Sequence, residues 1–254
     1  MLLVSTSSLN WYWLHRIFSF VKKAWYDWID LALTRNNFDS WDADYIKSLI
    51  KEFDVPVLSI TAPNRGLNEK KVDLIVSLAT QIGAQNITFF PPYLTDKNTT
   101  WYTKYLSKVK RDTHLSISIA NVEPKFIFFV IPEYKNASLL EIKKITGDTA
   151  LDLSAIDSSS GLDILKAQKH LWSSLKNIYF SDKHWPKKWL LPWLAWWGTS
   201  YLPLESFLMK LKASGYNAFI TLKVNPKELW VWTEEKVLQN LEYFKSYYKK
   251  HFLD

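Results

Sequence analysis

The chain has 254 residues, enough for one large α/β domain or two small ones, and its 48% hydrophobic content can supply a sizeable core. It contains no cysteine, which excludes disulfides and thiolate metal sites. The net charge of +7 suits an anionic ligand, although lysines spread over many predicted helices also fit an ordinary solvated surface. The longest uncharged apolar stretch, residues 189–197, is too short to span a bilayer, and no basic region precedes the apolar N-terminal residues. We therefore expect a cytoplasmic protein with no membrane partner.

Strand-like and helix-like segments alternate along the whole chain. The sequence predicts strands at 2–7, 29–33, 55–63, 86–92, 114–122, 149–156, 177–183 and 218–226. It predicts helices at 14–24, 42–54, 68–83, 101–111, 138–146, 162–175, 202–216 and 233–252. Because no linker divides the chain, we expect one domain over residues 1–254, folded as a single (β/α)8 TIM barrel. A doubly wound open sheet is the alternative, but no glycine-rich phosphate loop follows the first strand.

Several predicted helices carry conventional start and stop signals. Asn68 can cap the helix that Gly83 ends, and Pro203 and Gly215 flank another in the usual order. Thr233 is predicted to cap the last helix, which has two glutamates in its first turn.

Glycine is rare in this chain and tryptophan is abundant. There are 6 glycines and 14 tryptophans, whereas glycine alone normally makes up about 7% of residues. The two together (6 + 14 = 20 of 254) come close to the ordinary glycine share. In the stretch KKAWYDWIDLAL, residues 22–33, Trp25 and Trp28 stand between a helix and a strand. Glycine is usual there, because it alone takes positive φ without steric cost.

Residues 178–226 resemble the xylose isomerase-like TIM barrel family, which includes sugar isomerases and epimerases and the endonuclease IV group. Its members carry a strand ending in His-x-x-Asp, a glycine-rich loop, a helix, and a strand ending in Glu. Residues 151–157, LDLSAID, resemble the preceding Asp-x-x-His strand, and residues 18–33 resemble the opening helix, turn and strand. The resemblance covers nearly the whole chain. It implies a barrel that holds a divalent metal and a sugar at the carboxyl ends of strands five to eight.

The resemblance suggests an explanation for the tryptophans. Trp25 and Trp28 align with glycines of the family's opening segment, and Trp193 and Trp196 fall in its glycine-rich loop. The segments LNWYWLH and ELWVWTEE also look like glycine turns. We therefore expect many of these residues to be glycine in the natural protein, from a UGA codon that encodes glycine there. The alternative is an aromatic stacking surface formed by loops rich in tryptophan.

Two tryptophans are expected to be authentic. Trp41 and Trp101 do not stand at glycine positions of the family pattern.

The metal ligands implied by the resemblance, which are Glu, Asp, His and Glu in chain order, are mostly replaced. The first Glu aligns with Ala120, although Glu123 is close by, and the Asp is retained as Asp152. The family's second His, which ends the Asp-x-x-His motif, aligns with Ala155.

The last two ligand positions are replaced as well. The His of His-x-x-Asp aligns with Tyr179, its Asp is Asp182, and the final Glu aligns with Lys223. With one probable ligand of four retained, we expect no family-type metal site and no cofactor.

Lys223 is the most informative of these replacements. An ammonium at the end of strand eight can take the place of the missing cation and neutralise Asp152. Two further possibilities remain open. Lys223 could form a Schiff base with a carbonyl substrate, or act as a fixed cation for a sugar phosphate or carboxylate.

Two hypotheses of function follow. One is a sugar isomerase- or epimerase-like enzyme acting on a small sugar or sugar phosphate through Lys223, Asp152, Tyr179 and Asp182. The other is a non-catalytic barrel that binds a sugar-like or anionic ligand or a protein partner.

Other residues belong to these hypotheses. His184 and Glu123 are candidate ligand-binding residues, and a carboxylate facing Lys223, from Glu123 or Glu133, would favour the enzyme. A nucleic-acid role is not expected, because the histidines and acidic ligands of the endonuclease IV group are absent.

Overall fold

The computed structural model describes residues 1–34, 38–128, 130–156, 163–184, 187–192 and 202–253. Within this part of the chain, eight parallel strands close into a barrel in which each strand pairs with its neighbours in chain order and the last pairs with the first. The predicted (β/α)8 architecture is confirmed. None of the described helices is long and apolar enough to cross a membrane.

The barrel strands and the helices that follow them agree with the predicted alternation. The barrel strands are β1 (Leu2–Ser5), β2 (Trp28–Ala32), β3 (Val57–Thr61), β4 (Asn86–Phe89), β5 (Ser116–Ala120), β6 (Asp148–Asp152), β7 (Leu175–Phe180) and β8 (Phe219–Leu222). The helices are α1 (Leu14–Lys23), α2 (Ala43–Phe53), α3 (Glu69–Ile82), α4 (Leu106–Asp112), α5 (Leu139–Thr146), α6 (Ile164–Leu171), α7 (Leu204–Ala213) and α8 (Glu234–Tyr248).

The structure corrects some of the predicted boundaries. The helix predicted at 101–111 begins with a π-helical turn, Trp101–Tyr105, before α4 starts. The strand predicted at 177–183 ends at Phe180, and Asp182–His184 instead pairs with Lys187–Leu190 in a hairpin. A second hairpin, Phe126–Ile127 with Ile131–Pro132, was not predicted. Both hairpins have strands of two to four residues, too short to show a clear period-two pattern.

Most of the predicted helix signals are present. The Asn68 side chain accepts a hydrogen bond from the Lys71 N–H at the start of α3, and Gly83 ends that helix with φ +78°. Thr233 precedes α8 as predicted, but its side chain makes no capping hydrogen bond, so that part of the prediction is wrong.

The residues of the barrel strands alternate between two environments. One set is apolar and packs in one large cluster with the helices, as Val4, Ile60 and Ile220 do. Much of the other set is polar and fully buried, as Ser59, Asn86 and their neighbours are. Because side chains alternate across a strand, the second set faces the barrel interior.

Asn86 organises the polar interior. Its amide nitrogen donates to Ser59 Oγ and Thr88 Oγ1, each at 3.1 Å, and its Oδ1 accepts from Ser118 Oγ at 2.6 Å. This one side chain therefore joins three neighbouring strands by hydrogen bonds made away from water.

Replacing Asn86 with alanine should lower the free energy of unfolding by about 2–3 kcal/mol, because it leaves buried hydroxyls without partners and opens a small cavity. Urea denaturation measures the loss. Gln81→Ala removes an amide from an exposed position of α3 and should change stability by less than about 0.5 kcal/mol. Equal losses in the two variants would contradict the proposed role of Asn86.

Candidate functional site

A cavity of about 490 Å³ opens at the carboxyl ends of the barrel strands. Six charged side chains line it: Arg65, Glu123, Lys125, Asp152, Lys188 and Lys223. Four of the six are basic and two are acidic, so the lining has a surplus of positive charge. This is the end of the barrel at which TIM-barrel enzymes place their active sites.

Asp152 and Lys223 form an ion pair in this cavity. Lys223 Nζ lies 2.9 Å from Asp152 Oδ2, and Asp152 is 2% exposed. Asp152 ends β6 and Lys223 follows β8, so the barrel brings together residues far apart in sequence. Asn121, the residue after β5, fixes the backbone of Asp152 by donating to its carbonyl oxygen and accepting from its N–H. The pairing expected from the sequence is therefore present.

The second oxygen of this carboxylate is unusual. Asp152 Oδ1 is buried and has no hydrogen-bond partner among the described residues. A buried acceptor without a donor costs free energy, so a hydrogen bond from a ligand hydroxyl that reached this oxygen would be favourable.

Three aromatic rings surround the Lys223 ammonium. Its Nζ lies 4.5 Å from the Tyr179 ring centroid, 5.3 Å from that of Phe90 and 5.7 Å from that of Trp189. The Trp189 indole also donates from Nε1 to Asp152 Oδ2 at 3.2 Å. Ring faces attract a cation, so these contacts hold the ammonium beside the carboxylate.

A hydrogen-bonded chain lies beneath the ion pair. Asp30 is fully buried on β2 and accepts from Ser5 Oγ at 2.8 Å and from Thr61 Oγ1 at about 3 Å. Thr61 Oγ1 is also 2.6 Å from the hydroxyl of Tyr179. Polar groups therefore continue from the cavity into the barrel interior.

Burial raises the pKa at both ends of this chain. It raises the pKa of Tyr179 well above the usual value, and the nearby Asp30 carboxylate adds to that effect. Tyr179 therefore stays a neutral phenol at physiological pH and can donate a hydrogen bond but cannot act as a base. Burial also raises the pKa of Asp30, while hydrogen bonds from Ser5 and Thr61 and the charge of Lys223 oppose this shift.

Glu123 is the second carboxylate of the cavity, and two lysines contact it. Lys183 Nζ lies 3.5 Å from its Oε1, and Lys188 Nζ contacts its Oε2. Desolvation lowers the pKa of Lys188 from its ordinary value. Arg65 and Lys125 are exposed at the rim of the cavity, where Arg65 lies over the Tyr93 ring at 4.1 Å.

The structure brings together some of the residues that the sequence singled out. Asp152, Lys223 and Glu123 line the same cavity, and Tyr179 lies beneath Lys223. Asp182 is 4% exposed, its Oδ1 accepts from the Lys183 N–H, and its carbonyl accepts from Ser154 Oγ.

The remaining candidates lie away from this centre. His184 ends the hairpin strand that Asp182 begins, and neither residue is among the described side chains lining the cavity. Glu133 does not line it either, although its charge acts on Arg65.

Sequence reasoning missed several residues of the site. Asp30 could have been found, because a carboxylate in the buried strand WIDLA has to face either the helices or the barrel interior. Arg65 and Lys188 carry no such signal. They lie in loop and hairpin positions that depend on the tertiary structure.

The residues present do not fit a divalent metal of the family type. An ammonium at 2.9 Å from Asp152 occupies the place next to the retained ligand and would repel a cation. The described residues hold no group of three or more His, Asp or Glu side chains that could bind a metal ion.

Comparison with known proteins supports the fold. No protein-family model and no curated protein matches the sequence. Among solved structures, an IolI protein with a bound zinc atom matches with a TM-score of 0.70 at 13% identity over 99% of each chain. A xylose isomerase domain-containing protein from Salmonella typhimurium gives 0.69 at 14% identity over 97% of this chain and 96% of that one. The 3-keto-D-glucoside 4-epimerase YcjR from E. coli gives 0.67 at 11% identity over 96% and 98%. The chain therefore has the fold of the xylose isomerase-like TIM barrels, as the resemblance implied.

Replacing Lys223 with methionine should cost about 3 kcal/mol of stability at neutral pH, because it leaves the Asp152 carboxylate buried without a cation. The double variant Lys223→Met, Asp152→Asn should recover most of that loss, since no buried charge remains. Urea denaturation of the four members of this cycle measures the coupling. Additive losses would show that the two side chains do not depend on each other.

Proposed function

We propose that this protein is a sugar isomerase- or epimerase-like barrel that binds a small sugar or sugar phosphate in the cavity at its carboxyl end. Lys223 supplies there the fixed positive charge that a metal supplies in the family. The observation that carries the proposal is the buried Asp152–Lys223 pair, in which Asp152 Oδ1 has no donor in the part of the chain that the structure describes. A sugar offers adjacent hydroxyl and carbonyl oxygens, which are the groups such a pair can hold.

The charge of the cavity supports an anionic form of the sugar. Arg65 and Lys125 stand at the rim, while Lys188 and Lys223 lie deeper. A phosphate or carboxylate at the rim would leave the hydroxyl end of the ligand to reach Asp152. Guanidinium and ammonium groups bind such anions through charge-assisted hydrogen bonds.

The same arrangement determines which chemistry is possible. Isomerisation or epimerisation needs a base to remove a proton from carbon and a cation to stabilise the oxyanion that forms. Lys223 can stabilise that oxyanion. Among the described residues that line the cavity, Asp152 and Glu123 are the carboxylates that can act as the base, whereas Tyr179 stays a neutral phenol and cannot. Each of these carboxylates is engaged by lysine, so an ammonium must move towards the substrate before either can accept a proton.

The lysine contacts of Asp152 and Glu123 favour the second candidate function, a barrel that binds the ligand without catalysing its conversion. Both carboxylates have their charge compensated in the free protein, as suits a stable binding site. The binding proposal holds for either candidate, and a proton-exchange experiment separates them.

Fructose 6-phosphate should bind, and the double variant Arg65→Met, Lys125→Met should weaken that binding about tenfold or more, because charge-assisted hydrogen bonds to the phosphate are lost. Calorimetric titration measures both affinities. Lys210→Met, which removes a lysine near the end of α7, should bind as the unaltered protein does. Equal affinity in the rim variant and this control would contradict a phosphate at the rim.

The same ligand separates the two candidates in deuterium oxide. An isomerase or epimerase should exchange a carbon-bound hydrogen for deuterium, which proton NMR detects, and Asp152→Asn should reduce the rate of exchange. Binding with neither deuterium incorporation nor the signals of a new sugar would establish the non-catalytic barrel for this ligand.

We also propose that the site works without a divalent metal. Millimolar Mg²⁺ or Mn²⁺ should leave the melting temperature of the unaltered protein unchanged. Lys223→Glu should become stabilised by Mn²⁺, because it places two carboxylates side by side where a cation relieves their repulsion. A melting temperature of the unaltered protein that rises with Mn²⁺ and falls again with a chelator would overturn the metal-free proposal.

A further inference from the structure

Positive φ angles in this structure are concentrated at glycine and tryptophan. All four described glycines, Gly66, Gly83, Gly147 and Gly215, have φ between 68° and 78°. Six other described residues have positive φ: Trp25, Asp54, Phe128, Asn136, Trp189 and Trp230. Asp and Asn tolerate this conformation, whereas a bulky aromatic residue rarely adopts it. Three of these six residues other than glycine are tryptophan.

Trp25 occupies the position of a helix-ending glycine. After α1, the Trp25 N–H donates to Lys22 O and the Tyr26 N–H donates to Val21 O. After α7, the Gly215 N–H donates to the carbonyl three residues earlier, as the Trp25 N–H does. The N–H of the next residue donates to the carbonyl five residues earlier, as the Tyr26 N–H does. This pair of bonds is the Schellman motif, in which the left-handed residue is usually glycine.

Trp230 and Trp189 are held in the same conformation by their backbone contacts. Trp230 ends a 3₁₀ helix with φ 55° and ψ 49°, and its N–H donates to Lys227 O. Trp189, at φ 54°, donates its N–H to Ser154 Oγ and accepts from the Asn225 N–H. The barrel loops on either side therefore fix the backbone of Trp189, whichever side chain it carries.

The side chains at two of these positions are more than half exposed, although the Trp230 ring lies 5.4 Å from that of Trp232. Trp25 is 75% exposed and Trp230 is 51% exposed. Trp41 and Trp101 differ, since the Trp41 indole donates to Thr34 O and Trp101 is 3% exposed against Phe89. Those two have the contacts expected of authentic tryptophans.

Not every tryptophan that the sequence marked is described with a positive φ. Trp28 begins β2 without a positive φ and packs on Leu3, Leu58 and Phe219. Trp193 and Trp196 lie outside the described residues.

We propose that positions 25, 189 and 230 are glycine positions of this fold, that the natural protein carries glycine there, and that glycine at 189 opens the ligand cavity. The last clause rests on the proposed function. The Trp189 indole lies on the Asp152–Lys223 pair, where it occupies Asp152 Oδ2 and one side of the ammonium. Glycine at 189 removes both contacts and leaves the pair facing the cavity.

Glycine and alanine variants test the backbone claim, because both remove the indole and only glycine is free of the Cβ penalty at positive φ. Trp25→Gly and Trp230→Gly should each melt about 2–4 °C higher than Trp25→Ala and Trp230→Ala. Trp41→Gly and Trp101→Gly, the matched controls, should melt below the unaltered protein and no higher than their alanine counterparts. Alanine variants at 25 and 230 that are as stable as the glycine variants would overturn this claim.

Titration with inorganic phosphate and with fructose 6-phosphate tests the opening of the cavity. Trp189→Gly should bind fructose 6-phosphate at least threefold more tightly than the unaltered protein does, and adding Lys223→Met to Trp189→Gly should remove that gain. Unchanged affinity in Trp189→Gly would overturn the opening of the cavity. If neither ligand binds any form while the glycine variants at 25 and 230 are stabilised, the proposed function fails and the glycine positions stand.

Mass spectrometry of the protein from its natural source tests the residue identity directly. The tryptic peptide of residues 24–35 contains Trp25 and Trp28. A mass with glycine at position 25 supports the proposal, and a mass with both tryptophans overturns it.

Discussion

The buried carboxylate of Asp152 imposes the main electrostatic constraint on the carboxyl end of this barrel. At 2% exposure it is stable as an ion only beside a cation, and the Lys223 ammonium at 2.9 Å provides one. The aromatic rings around the ammonium and the backbone bonds from Asn121 all serve to hold this pair in place. The charge that stands beside Asp152 in this barrel belongs to a side chain of the protein itself.

Buried polar groups extend from the ion pair into the barrel interior. Many TIM barrels fill their interior with layers of branched apolar side chains. Here Asp30, Thr61 and Tyr179 form a connected chain below the ion pair, and Asn86 joins the neighbouring strands. The fold thus has to satisfy many buried hydrogen-bond groups at once, which favours one arrangement of the strands. It also makes the position of the Lys223 ammonium depend on residues at the centre of the barrel.

How far the sequence could predict this structure depends on the range of the interactions involved. Strands and helices are visible as local periodicity, and the placement of Asp152 and Lys223 followed from their positions at strand ends in a closed barrel. The contacts of Glu123 with Lys183 and Lys188 could not be predicted, because a hairpin with strands of three and four residues brings them together. The prediction that Thr233 caps α8 is wrong, because the Thr233 side chain makes no capping hydrogen bond.

Trp189 has a positive φ and also contacts the ion pair of the site. The sequence marked tryptophans by comparison with a glycine-rich pattern, but it did not single out Trp189, whose φ becomes visible only in the folded backbone. That residue contacts both members of the ion pair, so its identity decides how much of Asp152 and Lys223 a ligand can reach. An indole there covers one side of the pair. A glycine there makes the same two groups the floor of an open site, and the backbone conformation favours glycine.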